Sequence, residues 1–168
     1  MWWNLNGPNA NRLRAQVQRL CALRPLPELL GLCEVPTERV GDLRDLVQPV
    51  GYEVFPAASD LEPKIKQVVI ASRLPARPIS TARFKVRADH PVREARGFDV
   101  WPKAVSSIDV SAGEQALSVH AVHIPNGSRN GWVKFDHLWA LRDGLEHKQG
   151  PAIVCGDFNA PRLEVGSR

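Results

Sequence analysis

The 168-residue chain contains no run of about 18 apolar residues, and its start shows no basic stretch followed by an apolar one. From the first absence no membrane-spanning helix is expected, and from the second no secretory leader is expected. Cysteine is scarce: Cys21, Cys33 and Cys155 are three and cannot all pair. Cys33 and Cys155 fall in expected core strands, where a free thiol behaves as a small hydrophobe, so the expected compartment is a reducing cytoplasm. There is no internal repeat, low-complexity tract or linker, and residues 1–168 are expected to form one domain. With 43% hydrophobic and 24% charged residues, the chain has the composition of a globular protein, and neither disorder nor a membrane protein is expected.

What the chain does have is a recurring design, an apolar strand that ends in a polar cluster. The run from Pro151 to Asn159 is the clearest case: Ile153, Val154 and Cys155 lead to Gly156, Asp157, Phe158 and Asn159. Such a run reads as a buried strand opening onto a site, and the two-residue offset of Asp157 and Asn159 puts both on one face of an extended backbone. A carboxylate and an amide held there can polarise a water and hydrogen-bond a developing phosphorane oxygen. Gly-Asp-Phe-Asn alone reads equally as a turn. Three other segments repeat the design, however. Trp2 to Gly7 carries Asn4 and Asn6 on one face, Leu29 to Cys33 ends in Glu34, and Leu117 to Gly127 ends in His123 and Asn126.

The order Trp-Asn-Leu-Asn-Gly, Leu-Cys-Glu-Val, His-Ile-Pro-Asn-Gly and Gly-Asp-Phe-Asn-Ala-Pro resembles the endonuclease/exonuclease/phosphatase superfamily, in particular its exonuclease III and abasic-endonuclease branch. The resemblance runs from residue 2 to about residue 164. It implies a deoxyribonuclease-I-like, four-layered α/β sandwich, two central sheets flanked by helices, that hydrolyses phosphoesters with Mg²⁺ or Mn²⁺. It also implies that Glu34 is the metal-binding glutamate and Asn6 the strand-one residue supporting the metal. Asp157 would orient or deprotonate the attacking water, Asn159 would hold the scissile phosphate, and His123 and Asn126 would stand near that phosphate. His120 is not part of this set, since alternation turns it away from His123.

The chain departs from the pattern in two places. Members normally continue past the Gly-Asp-Phe-Asn strand to an Asp-His pair, whereas this sequence ends at Arg168, so the expectation is an incomplete sandwich lacking the family's C-terminal portion. Missing strands would leave apolar area and a sheet edge uncovered, from which marginal stability or self-association through that edge is expected. Cys33 also stands where the family usually has Gln, which questions the polar support of Glu34.

A net charge of +4 favours a polyanionic partner. Together with that charge, the resemblance to the exonuclease III branch implies nucleic acid as the preferred substrate, and the superfamily's reuse of one site implies another phosphoester, such as a phosphoinositide or sphingomyelin, as the alternative. A non-catalytic fragment that keeps the first part of the fold is a second class of reading. Arg73, Arg77, Arg83, Lys85, Arg87, Arg93, Arg96 and Lys103 form a basic, proline-rich stretch. It reads either as a surface hairpin or loop on a phosphate backbone or as a solvated loop that keeps a sheet edge from aggregating. Residues 126–131 link a strand to a helix and suit either a phosphate-binding helix start or an N-capped turn.

Helical spacing predicts helices over 9–23, 37–47 and 131–147. The last is expected to bury Trp132, Phe135, Leu138, Trp139 and Leu145 as core. Further strands are predicted at Val54-Phe55, 66–72, 105–110 and 117–124.

Overall fold

The computed structural model describes residues 1–81, 84, 102–112, 115–126, 133–146 and 150–159. Two four-stranded sheets carry the fold. In chain order the described strands are β1 (Trp2–Asn4), β2 (Leu29–Pro36), β3 (Glu53–Pro56), β4 (Lys66–Ser72), β5 (Ala76–Pro78), β6 (Val105–Ala112), β7 (Gln115–His123) and β8 (Ala152–Asp157). The first sheet has the order β1-β2-β4-β3 and the second β5-β6-β7-β8.

β4 is an almost continuous apolar run because it lies inside its sheet with both faces covered. Val69 and Ala71 face one core, and Val68 and Ile70 face the other. The first core lies beneath helices α1 (Ala10–Cys21) and α2 (Val40–Val47). Asn9 caps α1 by accepting from the Arg12 amide at 3.0 Å, and Leu13, Val17 and Leu20, spaced four and three apart, are fully buried. Each such side chain contributes about 1.5–3 kcal/mol through apolar burial. Val40, Leu43 and Val47 do the same for α2.

The second core joins the sheets face to face, Val68 and Ile70 meeting Ile108, Val110, Val119 and Ala121. The third lies on the outer face of the second sheet, where Val105, Val122 and Ile124 meet Leu141 of helix α3 (Val133–Glu146). The layers therefore run helix, sheet, sheet, helix, which is the expected α/β sandwich.

Differences from the sequence reading have local causes. The first turn of the segment 37–47 is a 3₁₀ turn (Thr37–Arg39) that runs into α2. Within the basic stretch the short strand β5 pairs antiparallel with β6 and carries Pro78, which an edge strand tolerates. Its Arg77 is largely exposed and pairs with Asp109 at 3.4 Å, while Lys103 sits elsewhere, at the site described below. Arg83, Lys85, Arg87, Arg93 and Arg96 lie outside the described residues.

The expected aromatic core of α3 is corrected. Phe135 is 49% and Trp139 38% exposed, and Trp132 lies outside the described residues. The buried stripe is Val133, Asp136, His137, Ala140, Leu141 and Gly144, with Leu138 and Leu145 half-buried beside it. Asp136 and His137 interrupt that stripe in sequence, so a count of apolar residues selects the opposite face.

β1 and β8 each lie at one edge of their sheet among the described residues. Between them opens an apolar cavity of about 240 Å³, lined by Met1, Trp2, Leu29, Ile70, Val119 and Ile153 among others. Ile153 on β8 is 46% exposed.

Candidate active site

Two parallel strand pairs, β1 with β2 and β7 with β8, present their carboxyl ends at one end of the sandwich. Asn4 ends β1, His123 ends β7 and Asp157 ends β8, with His123 and Asp157 directly paired in register. β8 lies close enough to bring them level only because Gly156 has no side chain. A Cβ there would stand 2.0 Å from the Val122 carbonyl oxygen.

Glu34 reaches the same place through an irregularity. The pairing of β2 with β4 shifts register between Leu32 and Val35, and Glu34 takes a left-handed conformation at φ 58°. A bulge re-aims a side chain that regular alternation would send elsewhere. A non-glycine residue held at positive φ costs of order 1–3 kcal/mol, which surrounding contacts must sustain. Those contacts are on both sides of Glu34: Asn4 Nδ2 donates to Oε1 at 3.1 Å and Lys66 Nζ to Oε2 at 2.7 Å.

Asn4 is the centre of the arrangement. Its amide nitrogen also donates to Asp157 Oδ2 at 3.1 Å, joining carboxylates from the two sheets, and its Oδ1 accepts the Asn6 backbone amide at 2.8 Å. The sequence reading gave the strand-one role to Asn6. The structure ends β1 at Asn4, leaves Asn6 exposed at φ 56° and sets Asn4 between the carboxylates. Alternation put both asparagines on one face, but alternation stops where the strand does.

Asn159 likewise lies beyond its strand, at φ 45°. Asp157 Oδ1 accepts the Asn159 amide at 2.9 Å, a side-chain-closed turn, so the site and the turn are one object. Asn159 Nδ2 donates to the Ile124 carbonyl at 2.7 Å and lies 3.5 Å from His123 Nε2, and Lys134 of α3 donates to the Asn159 carbonyl at 3.0 Å. Asn126 is exposed beyond β7, and residues 127–131 lie outside the described residues. His120, as expected, points away: it is fully buried, its Nδ1 2.8 Å from Ser107 Oγ.

Glu34, Lys66, Lys103, Ala104 and His123 line a cavity of about 290 Å³. Burial pushes the Glu34 carboxyl up, but the hydrogen bonds from Lys66 and Asn4 and the nearby positive charge outweigh it and hold Glu34 below the usual carboxylate range. Cys33 beside it is fully buried, and burial together with the Asp157 and Glu34 charges pushes its thiol up to about 12. It stays a neutral, apolar group, and the support of Glu34 that a glutamine could have supplied comes from Asn4 and Lys66 instead. Asn4 was legible in the Trp-Asn-Leu-Asn motif as a polar residue, but its bonds to both carboxylates were not. Lys66 carries no sequence signal that separates it from other lysines, and Lys103 was legible only as one member of the basic stretch.

The family model of the Endonuclease/Exonuclease/phosphatase family matches residues 1–168. The chain belongs to that family. Among solved structures, Endonuclease/Exonuclease/phosphatase folds superpose well on it. TDP2 of D. rerio, complexed with a single-strand DNA product, has a TM-score of 0.64 at 19% identity, over 98% of this chain and 61% of that one. ANGEL2, a 2′,3′-cyclic phosphatase, has a TM-score of 0.59 at 17% identity, over 90% of this chain and 44% of its own. A β-hairpin deletion mutant of the Staphylococcus aureus beta toxin reaches 0.66 at 11% identity, over 96% and 66%. The chain thus spans less than two thirds of each. A comparison with curated protein sequences gives no match.

The donors present suit a hard divalent cation. Among the described residues no three or more His, Cys, Asp and Glu side chains converge, but Glu34 and Asp157 bring carboxylate oxygens to the two hydrogens of one amide. Mg²⁺ takes one or two carboxylates and keeps several waters, so this sparse oxygen set fits it and does not fit a zinc site, which needs three or four protein ligands.

Proposed function

We propose that the chain is a metal-dependent phosphodiester hydrolase whose substrate is nucleic acid. The observation that carries this reading is the pair of carboxylates, Glu34 and Asp157, brought from different sheets onto Asn4 beside His123 and Asn159. Glu34, with Asn4 in support, is the residue set that would hold Mg²⁺ or Mn²⁺. When bound, such an ion supplies Lewis acidity toward a phosphoryl oxygen and charge stabilisation for the leaving oxygen.

The protein's own groups do the rest. Asp157 is held by two hydrogen bonds, from Asn4 and from the Asn159 amide, and accepts the proton of the water that attacks phosphorus. Asn159 is oriented by its bond to the Ile124 carbonyl and offers an N–H to the phosphoryl oxygen. A fixed donor of this kind is worth roughly 2.7–4 kcal/mol where negative charge grows. Lys66 and Lys103 in the cavity wall favour an anionic substrate. The net charge of +4 and the DNA product on TDP2 support nucleic acid as that substrate.

The test is nicking of supercoiled and abasic-site DNA in Mg²⁺, with Glu34→Gln alongside and a small aryl phosphodiester as a second substrate. Cleavage of DNA that disappears in Glu34→Gln is the expected result. Hydrolysis of the small diester without DNA cleavage would move the reading to another phosphoester. Inertness of a folded chain toward both would overturn it.

A further inference from the structure

Lys66 is a part of the site that neither metal binding nor phosphoryl transfer demands. Its ammonium lies 2.7 Å from Glu34 Oε2. Its stem is seated over Gly7, where a Cβ would stand 2.4 Å from Lys66 Cε and 2.7 Å from Nζ. Gly7 has φ 55° and donates its own amide to the Glu34 carbonyl at 3.1 Å. Glycine at this turn therefore allows the chain to reverse and also leaves the space the lysine fills. The backbone of Lys66 is fixed by pairing with Pro36, on the far side of the bulge that aims Glu34. The ammonium also faces the cavity that Lys103 and His123 line.

A lysine placed this way competes with a divalent cation for one carboxylate oxygen. The competition has two consequences of opposite sign, weaker metal binding in the free protein and a positive charge released into the substrate cavity once metal has bound. We propose that Lys66 is a resident counter-ion, which holds Glu34 until a divalent cation displaces it and then, with Lys103, engages the phosphate of the substrate. The inference rests on the reading above that Glu34 holds the metal. It makes metal and substrate binding mutually supportive, because the cation that arrives at Glu34 frees a second cation for the substrate.

Lys66→Met tests it, since methionine keeps apolar volume over Gly7 while removing the charge, and a half-exposed position tolerates the change. Mn²⁺ is titrated into the wild type, Lys66→Met and Glu34→Gln without substrate, with free Mn²⁺ read by electron paramagnetic resonance. Affinity for a phosphorothioate-linked oligonucleotide is then read by fluorescence anisotropy at saturating Mn²⁺. The expected result is Mn²⁺ binding about five- to tenfold tighter in Lys66→Met, the scale of an exposed ion pair plus relief of charge repulsion. Oligonucleotide affinity is expected to be weaker in the same variant. A merely structural lysine would not move the two affinities in opposite directions. Mn²⁺ binding in Lys66→Met that is unchanged or weaker, while Glu34→Gln loses it, would overturn the role of Lys66 and leave the metal assignment standing. If Glu34→Gln binds Mn²⁺ as the wild type does, the metal assignment itself fails and this inference goes with it.

Discussion

At the scale of residues, the site depends on a few side chains held where their own preferences would not put them. Glu34 sits in a left-handed conformation between Asn4 and Lys66, with about a fifth of its side chain exposed. Its folded-state pKa lies below the ordinary 4.5, so the ionised form stabilises the fold above that value. The contribution is lost as pH falls below about 4.5 through the folded pKa. Urea unfolding at pH 6 and at pH 3.5 should accordingly show a larger loss for the wild type than for Glu34→Gln, which cannot titrate. Asn4 allows a second prediction. Asn4→Asp places a third carboxylate against Glu34 and Asp157 and removes the shared donor, so the melting temperature should drop without divalent ions. Mn²⁺ should restore it by more than it raises the wild type, because a third oxygen ligand strengthens the site while relieving the repulsion. Thermal melts with and without Mn²⁺ decide this, and equal responses in the two proteins would remove Asn4 from the metal's surroundings.

Elements transmit these residue placements. β8 delivers Asp157 only because it can lie against β7 at Gly156, where any side chain meets backbone rather than a movable group. Gly156→Ala should destabilise by about 3 kcal/mol, at the upper end of overpacking costs, and lower the yield of soluble protein. A variant as stable as the wild type in a denaturant titration would show that β8 can shift. α3 carries the next prediction. Burial lowers the pKa of His137, whose Nδ1 lies 2.8 Å from the Val133 carbonyl. A base depressed in the folded state stabilises above its unfolded value, here 6.5, and that stability is lost as pH falls through the folded pKa. His137→Gln should therefore flatten the fall in stability below pH 6.5, measured by urea titration from pH 7.5 to 5. The same helix shows where sequence stops being a guide. β4 follows from its continuous apolar run, both faces being covered, and helix α1 follows its periodicity, since a single apolar face suffices to place it. α3 does not, because its inner stripe contains Asp136 and His137 while Phe135 and Trp139 face outward. Ends of elements were equally opaque: the two-residue offsets of Asn4 from Asn6 and of Asp157 from Asn159 carry meaning only while the chain stays extended, and both second residues lie past a strand end at positive φ.

For the whole molecule, the candidate site is a property of sandwich closure, since Glu34 and Asn4 come from one sheet and Asp157, His123 and the anchored Asn159 from the other side. The polar strand ends were legible as motifs, but which of their atoms meet depends on sheet-to-sheet contact that no local pattern encodes. Lys66 shows this best, opening an ordinary strand in sequence and gripping Glu34 in space. Among the described residues β1 and β8 each lie at an edge of their sheet, with the apolar cavity between them and Ile153 half in solvent, and an exposed edge of this kind is a template for strand pairing. Ile153→Lys should reduce any concentration-dependent association seen by analytical ultracentrifugation, and association unaffected by it would place the contact on another surface.

The bond from Asn4 to Asp157 joins residues 153 positions apart. During synthesis, at about 5–20 residues per second, the first partner waits roughly 8–30 s for the second to be made. The nascent chain can form its first sheet, with Glu34 and Lys66 already paired, long before Asp157 exists. Built in this order, the candidate site stays incomplete until β8 brings Asp157 to Asn4, and until then Glu34 is held by Lys66 with no second carboxylate beside it.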